Sequence, residues 1–176
     1  MNRQTVEEKI EGDVKIVAIS DTHIPDRAKS LPEQCMVYLK DADFIFHAGD
    51  ITSPRFLESL REYGKVYAVR GNMDPPELSK LPEFLIVSIG SVKIGMVHRI
   101  SSLGGKQYAL NLMDKNDIDL LIYGHTHRPS LYRRKGFTLL NPGSPTIPIP
   151  PFIIKPSIAI VTIRSRETTI KMVKLG

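Results

Sequence analysis

Val14-Lys-Ile-Val-Ala-Ile-Ser20-Asp21-Thr22-His23 is a run of apolar, largely β-branched residues that stops at a carboxylate and an imidazole. It reads as a buried strand, Val14–Ser20, that delivers Asp21 and His23 at its carboxyl end. The same grammar recurs twice. Phe44–His47 reads as a strand ending at Gly49-Asp50, and Lys65–Arg70 as a strand ending at Gly71-Asn72. Amphipathic helices fit between them. One runs from Pro32 to about Lys40 with Cys35, Met36 and Leu39 on one face; the other opens at Ser53-Pro54, turns Phe56, Leu57 and Leu60 inward, and is closed by Gly64. Repetition of strand, polar motif and helix predicts βαβ units and a parallel sheet. Ligands of such sheets gather beyond the carboxyl ends of the strands, so the three motifs are expected to converge.

The second half changes character. Phe84–Ile89 and Lys93–Val97 flank Gly90-Ser91, a hairpin turn, and His98 follows directly. Gln107–Lys115 reads as a helix, and Asp119–Tyr123 as a strand ending at Gly124-His125-Thr126-His127. Leu131–Arg134 and Phe137–Asn141 flank a second hairpin at Lys135-Gly136, and Ser157–Ile163 with Thr168–Val173 form a last strand pair. The expected architecture is α/β, two sheets packed face to face with helices outside. No internal repeat, low-complexity tract or linker interrupts the 176 residues, which suit a single domain, 1–176.

Composition narrows the function classes. No apolar run approaches the ~18–20 residues of a membrane span. Met1 to Asp13 is a polar extension without the apolar core of a signal peptide, so a cytoplasmic location and no membrane partner are expected. Cys35 is the single cysteine, which excludes an intrachain disulfide and a Cys-rich zinc site; its simplest role is a small core residue. The net charge of +5 admits an anionic partner. Arg133, Arg134 and Lys135 form the tight basic cluster, best read as a solvated hairpin edge, and no nucleic-acid-binding motif accompanies it. Nucleic acid is therefore not expected as a specific partner.

All five histidines fall in these strand-end motifs. Asp21 and His23 lie two apart, a spacing that in extended geometry puts both side chains on one side, and His125 and His127 repeat it. Asp50 adds a carboxylate able to bridge two ions, Asn72 a neutral amide oxygen, and His98 another imidazole. Mixed nitrogen and oxygen donors suit a borderline divalent metal. The set exceeds the needs of one four-coordinate zinc and matches two ions held ~3.5–4 Å apart by a shared carboxylate. Any one of these residues alone is more simply a cap, a turn or a hydrogen-bonded strand-end side chain. Their joint occurrence at five strand ends carries the metal reading.

Asp-x-His, Gly-Asp, Gly-Asn, His and Gly-His-x-His in this order resemble the calcineurin-like metallophosphoesterases, in particular the small YfcE-type phosphodiesterase branch. The segments Ser20–His23, Arg70–Asn72, Gly124–His127 and Asn141-Pro-Gly-Ser144 carry the likeness. The resemblance implies an α/β/β/α sandwich of two mixed sheets. It implies that Asp21, His23 and His127 hold one metal, that Asn72, His98 and His125 hold a second, and that Asp50 bridges. Asp50, Asn72 and His98 are the expected catalytic residues. The implied activity is hydrolysis of a phosphate ester, a diester first, by a hydroxide bridging two divalent ions. Manganese is the first expectation, with nickel, cobalt, iron and zinc as alternatives. His47 is read as a packing or supporting residue, because seven ligands already complete the site.

Three departures from the pattern stand out. Met73 replaces a residue that in larger relatives is a catalytic histidine and in the small branch a cysteine. Arg99 follows His98 where glycine is usual, and could crowd the site or bind phosphate. Thr146–Pro156 is apolar and Pro-rich, and is open to three readings: a substrate-side loop, a contact in a homo-oligomer, or packing under the last strand. The stretch from His23-Ile-Pro-Asp-Arg27 to Ser30-Leu-Pro32 also resembles a eukaryotic retromer subunit of this fold that acts as a protein-binding scaffold. A scaffold with weak or no turnover is the alternative to the enzyme reading, and the filled ligand set argues for the enzyme.

Overall fold

Apolar residues at both phases of a strand require cover on both faces, and β2 shows how the chain supplies it. In the computed structural model, which describes residues 2–100, 104–134, 136–147 and 154–176, the strands are β1 Arg3–Glu8, β2 Val14–Ile19, β3 Phe44–His47, β4 Lys65–Ala68, β5 Phe84–Ile89, β6 Val92–Val97, β7 Leu120–Ile122, β8 Ser130–Arg134, β9 Phe137–Asn141, β10 Ser157–Arg164 and β11 Glu167–Lys174. The helices are α1 Glu33–Leu39, α2 Pro54–Leu60 and α3 Gly105–Asn116. One sheet has the order β11-β10-β2-β3-β4 and the other β1-β5-β6-β7-β9-β8. Both are mixed. β2, β3 and β4 are mutually parallel while β10 runs antiparallel to β2; β6, β7 and β9 are parallel, while β5 runs antiparallel to β6 and β8 antiparallel to β9.

Ile16 and Ala18 of β2 point between the sheets, where they join Phe44 and Phe46 against Leu85, Val87, Ile94, Met96 and Ile122. Val17 and Ile19 point the other way and pack under α1 and α2 with Cys35, Leu39 and Leu60. On the far side Phe84, Ile86, Leu121 and Leu139 pack under Ala109 and Met113 of α3. The result is the expected α/β/β/α sandwich. Each of these large side chains contributes about 1.5–3 kcal/mol by leaving water, enough to hold the strand ends as a rigid platform.

Local details follow the chemistry of the residues. Ser53 Oγ accepts from the Phe56 N–H at 3.3 Å and Pro54 opens α2, as expected of that pair. Ile89 pairs Val92, so Gly90-Ser91 is a two-residue hairpin loop. Gly64 does not close α2 in a left-handed conformation. The helix ends at Leu60 and continues as hydrogen-bonded turns through Tyr63, and a Cβ on Gly64 would stand 3.0 Å from the Ala42 carbonyl. Close approach of two chain segments, not a left-handed cap, requires glycine there.

β1 was not legible, because Arg3-Gln-Thr-Val-Glu-Glu8 carries no apolar alternation. It pairs parallel with β5 at the sheet edge. Glu8 then accepts from Lys65 Nζ at 2.6 Å and from the Tyr67 hydroxyl, tying this edge to β4 of the other sheet. The Lys65 hydrogen bond, with that of Tyr67, holds the Glu8 carboxyl below its ordinary range. Lys135 and residues 148–153 of the apolar Thr146–Pro156 segment lie outside the described residues.

Candidate metal centre

The parallel strands β2, β3 and β4 end at Asp21-His23, Asp50 and Asn72, and β6 and β7 of the other sheet end at His98 and His125-His127. The structure brings these together as two candidate metal-ligand clusters, Asp21-His23-His127 and Asp50-His98-His125, each with donor atoms within 4.8 Å of one another.

The ligand spacing works by a different geometry from the extended one expected of alternation. Asp21 and His23 have φ of 54° and 47°, Asp50 57°, and His125 and His127 69° and 55°. All five are left-handed, a conformation that costs an L-residue roughly 1–2 kcal/mol. The loops hold each other in it: the Asp21 N–H donates to the Gly49 carbonyl at 3.0 Å and the His23 N–H to the Asp50 carbonyl at 3.1 Å. Such tight crossing also explains two glycines. A Cβ on Gly71 would lie 2.1 Å from the Asp50 nitrogen, and one on Gly124 would lie 1.8 Å from Ser20 Oγ.

In the first cluster, Asp21, His23 and His127 are all buried. Asp21 accepts from Ser20 Oγ at 2.5 Å and from the His125 N–H at 3.0 Å. His127 Nδ1 donates to the Ile147 carbonyl at 2.6 Å, which leaves a lone pair on Nε2. That Nε2 lies 3.3 Å from His23 Nε2 and 3.6 Å from Asp21 Oδ1. Burial pushes the His23 imidazole down to about 4, so it is neutral near pH 7. Two imidazole nitrogens and a carboxylate oxygen thus face one point, and His23 Nδ1 is buried without a partner among the described residues. That Nδ1 is on the other side of the ring from the Nε2 that faces the cluster; the converging donor set of two Nε2 atoms and a carboxylate oxygen is what fits a divalent metal.

The second cluster is more open. His98 Nδ1 donates to the Ala48 carbonyl at 2.8 Å, and its Nε2 lies 3.0 Å from Asn72 Oδ1. Burial acts to lower the His98 pKa, but the Asp50 carboxylate beside it raises it above the ordinary value. Asp50 is the converse case: burial alone would raise it, and His98 holds it down to about 2. Burial, His98 and Arg99 lower His125. Asp50 Oδ2 stands 3.6 Å from His23 Nε2 and 3.4 Å from His98 Nε2, between the clusters. Asn72 is exposed and adjoins the second cluster through His98.

His47 belongs to neither cluster. It is fully buried, shares a 3.0 Å hydrogen bond with Thr22 Oγ1, and is pushed by burial down to about 3. Four supporting residues escaped the sequence reading. Asp74 is 7% exposed and accepts from the N–H groups of Ile51 at 2.6 Å, Thr52 at 2.9 Å and Gly71 at 2.7 Å, pinning the Asp50 loop to the Asn72 loop. Ser144 Oγ donates to the Asp21 carbonyl at 2.8 Å, Asn141 Nδ2 donates to the Gly124 carbonyl at 2.9 Å, and Ser20 bonds Asp21. The polarity of Gly71–Asp74 and the Asn141–Ser144 segment were visible, but a polar side chain that serves a distant backbone has no local spacing to betray it.

Comparison with known proteins agrees with this geometry. Residues 14–166 match the calcineurin-like phosphoesterase superfamily domain. A protein of Methanothermobacter thermautotrophicus named "Probable metallophosphoesterase" is 36% identical over 162 residues, covering 92% of each chain. One of the same description from Methanocaldococcus jannaschii is 42% identical over 139 residues, 78% of this chain and 71% of that one. Among solved structures, vacuolar protein sorting 29 from Cryptosporidium parvum superposes with a TM-score of 0.76 at 25% identity, over 94% of this chain and 99% of that one. A Streptococcus pneumoniae protein described as a predicted phosphoesterase gives 0.74 at 25% identity, over 94% and 91%. Both resemblances read from the motifs are present.

Proposed function

Because the chain belongs to the calcineurin-like phosphoesterase superfamily, we propose that it is a two-metal phosphoesterase, acting on a phosphodiester first. The observation that carries this is the position of Asp50: one carboxylate oxygen reaches 3.6 Å from an imidazole of the first cluster and 3.4 Å from one of the second. In this reading Asp21, His23 and His127 hold one ion, Asn72, His98 and His125 hold the other, and Asp50 is shared. Manganese is the first choice of metal. The chain's own residues prepare the site. Hydrogen bonds from His98 Nδ1 and His127 Nδ1 to carbonyls orient both rings with Nε2 toward the ligand position. The depressed pKa values of His23 and His125 keep those rings neutral, as ligands must be. When bound, two divalent ions supply Lewis acidity that neutralises phosphoryl oxygens and acidifies the attacking water. Asp50, Asn72 and His98 line the face where the ester would react. No helix among the described residues is long and apolar enough to cross a membrane, and the proposed partner is a phosphate ester rather than a lipid bilayer or a nucleic acid.

The likeness to vacuolar protein sorting 29 favours a second reading, a protein-binding scaffold. Every ligand position here carries a metal-competent side chain, which supports the enzyme reading. The deciding experiment strips the protein with chelator and adds back Mn, Ni, Co, Zn and Mg in turn. Release of p-nitrophenol from bis-p-nitrophenyl phosphate and p-nitrophenyl phosphate is then followed. Metal-dependent release, faster from the diester and lowered about 100-fold or more in Asp50→Asn, is expected. Two bound ions with no release from either ester would overturn the enzyme reading in favour of the scaffold.

A further inference from the structure

A cavity of about 480 Å³ opens beside the second cluster. Its wall takes Asn72 and His98 from the site, Arg70 and Arg99 from the same strand-end loops, Glu83, and Tyr108 from α3. Among the described residues, neither Arg70 nor Arg99 is ion-paired, whereas Arg61 and Arg164 are matched to Glu58 and Asp13. Glu83, on the same wall, accepts from the Asn2 N–H at 3.2 Å. Arg99 is exposed and follows His98 directly, so its side chain lines the cavity beside the second cluster. Tyr108 is 43% exposed and presents a ring at the rim.

Unpaired guanidinium groups beside a phosphate-hydrolysing centre have an evident ligand. Their planar fork matches phosphate oxygens in bidentate fashion, and each charge-assisted contact exceeds a neutral hydrogen bond. We propose that this cavity seats the arm of the substrate beyond the scissile phosphate, and that it selects an arm carrying a second phosphate, held by Arg70 and Arg99. The ring of Tyr108 offers a flat apolar face to the part of the arm between the two phosphates. The substrate class is then a small organic phosphate with two phosphoryl groups. This rests on the phosphoesterase reading, since the first phosphate must sit at the metal clusters for the second to reach the cavity.

The test is calorimetric titration of the Mn-loaded protein with thymidine 5′-phosphate and thymidine 3′,5′-bisphosphate near physiological salt, where long-range attraction is screened. The bisphosphate should bind about tenfold tighter, two charge-assisted contacts being added. Arg70→Ala and Arg99→Ala should each reduce that ratio to about threefold, and the double variant should bring it near one. Arg70→Lys and Arg99→Lys, which keep charge and lose the fork, should fall between. Arg166→Ala, on the distant β10–β11 turn, should retain the full ratio. Equal affinities in the unaltered protein, or a full ratio in a folded double variant, would overturn the proposal. Turnover of bis-p-nitrophenyl phosphate with equal nucleotide affinities would overturn the cavity assignment alone. A tenfold ratio with no ester hydrolysed under any metal would support the anion cavity and overturn the phosphoesterase reading.

Discussion

Asp21, His23 and His127 are 0%, 1% and 4% exposed, while the second cluster pairs buried Asp50 and His98 with half-buried His125 and exposed Asn72. The inner cluster is enclosed on every side by the loops of both sheets. The outer one borders the cavity lined by Arg70 and Arg99. Enclosure makes each inner ligand part of the packing as well as of the metal site. The outer ligands have less neighbouring structure to support and more access to substrate. Two triads of similar composition are thus expected to answer differently to the same damage.

The largest test of that contrast removes one imidazole from each cluster. His23→Ala should lose an ion, lower turnover beyond the ~100-fold typical of lost supporting contacts, and also reduce the stability of the metal-free protein by a few kcal/mol through the buried cavity it leaves, about 2–4. His125→Ala should show a comparable loss of turnover and of one ion while the metal-free protein unfolds within about 1 kcal/mol of the parent. Metal content by elemental analysis and urea midpoints after chelation read both. Equal destabilisation by the two variants would erase the distinction between an enclosed and an open cluster.

A step smaller is Asp74→Ala. Asp74 supplies acceptors to three backbone N–H groups that shape the Asp50 and Asn72 loops. Each orphaned donor costs about 1–3 kcal/mol, less for those water can reach. The variant should lose about 2–4 kcal/mol of stability and bind the outer ion about 10–100-fold more weakly, with the inner ion little altered. Titration of metal into chelated protein resolves the two affinities. Parallel weakening of both ions would show that Asp74 supports the whole site rather than its outer half.

The smallest effect concerns His47, which touches the enclosed side through Thr22. Burial holds its pKa at about 3, far under the ordinary ~6.5 of an unfolded chain. Below pH 6.5 the unfolded state takes up a proton that the folded state refuses, so stability is lost as pH falls from about 6.5 toward 3. At pH 5 that loss is about 2 kcal/mol relative to pH 7 for this group. His47→Gln should flatten the pH 7 to pH 5 change in urea midpoint of the metal-free protein by about that amount. An unchanged acid slope would remove His47 from the account.

Much of this was legible in the residues themselves. The strands Phe44–His47 and Phe84–Ile89 end where their apolar runs end, and Ser53-Pro54 announces α2. Ligand candidates were visible because histidine is scarce in this chain and each one lies at or just past the end of a strand. Two kinds of feature were hidden. β1 has no apolar phase, and it is held by Glu8 reaching Lys65 and Tyr67 on another sheet. Asp74 and Ser144 serve backbone groups far from them in sequence, which leaves no periodic trace.

From the sequence alone came the order of strands and helices from β2 onward, the convergence of five motifs at one edge, and the family, because apolar periodicity and residue chemistry are local properties. Tertiary structure decided how the motifs meet. It turned Asp21, His23, Asp50, His125 and His127 to positive φ, divided the ligands into an enclosed and an open group, and set Asp50 between them. Those outcomes depend on crossing loops whose hydrogen bonds join residues from both halves of the chain, as when Asp21 accepts from the His125 N–H at 3.0 Å. Left-handed backbone and burial are imposed by such partners, and no residue carries them by itself.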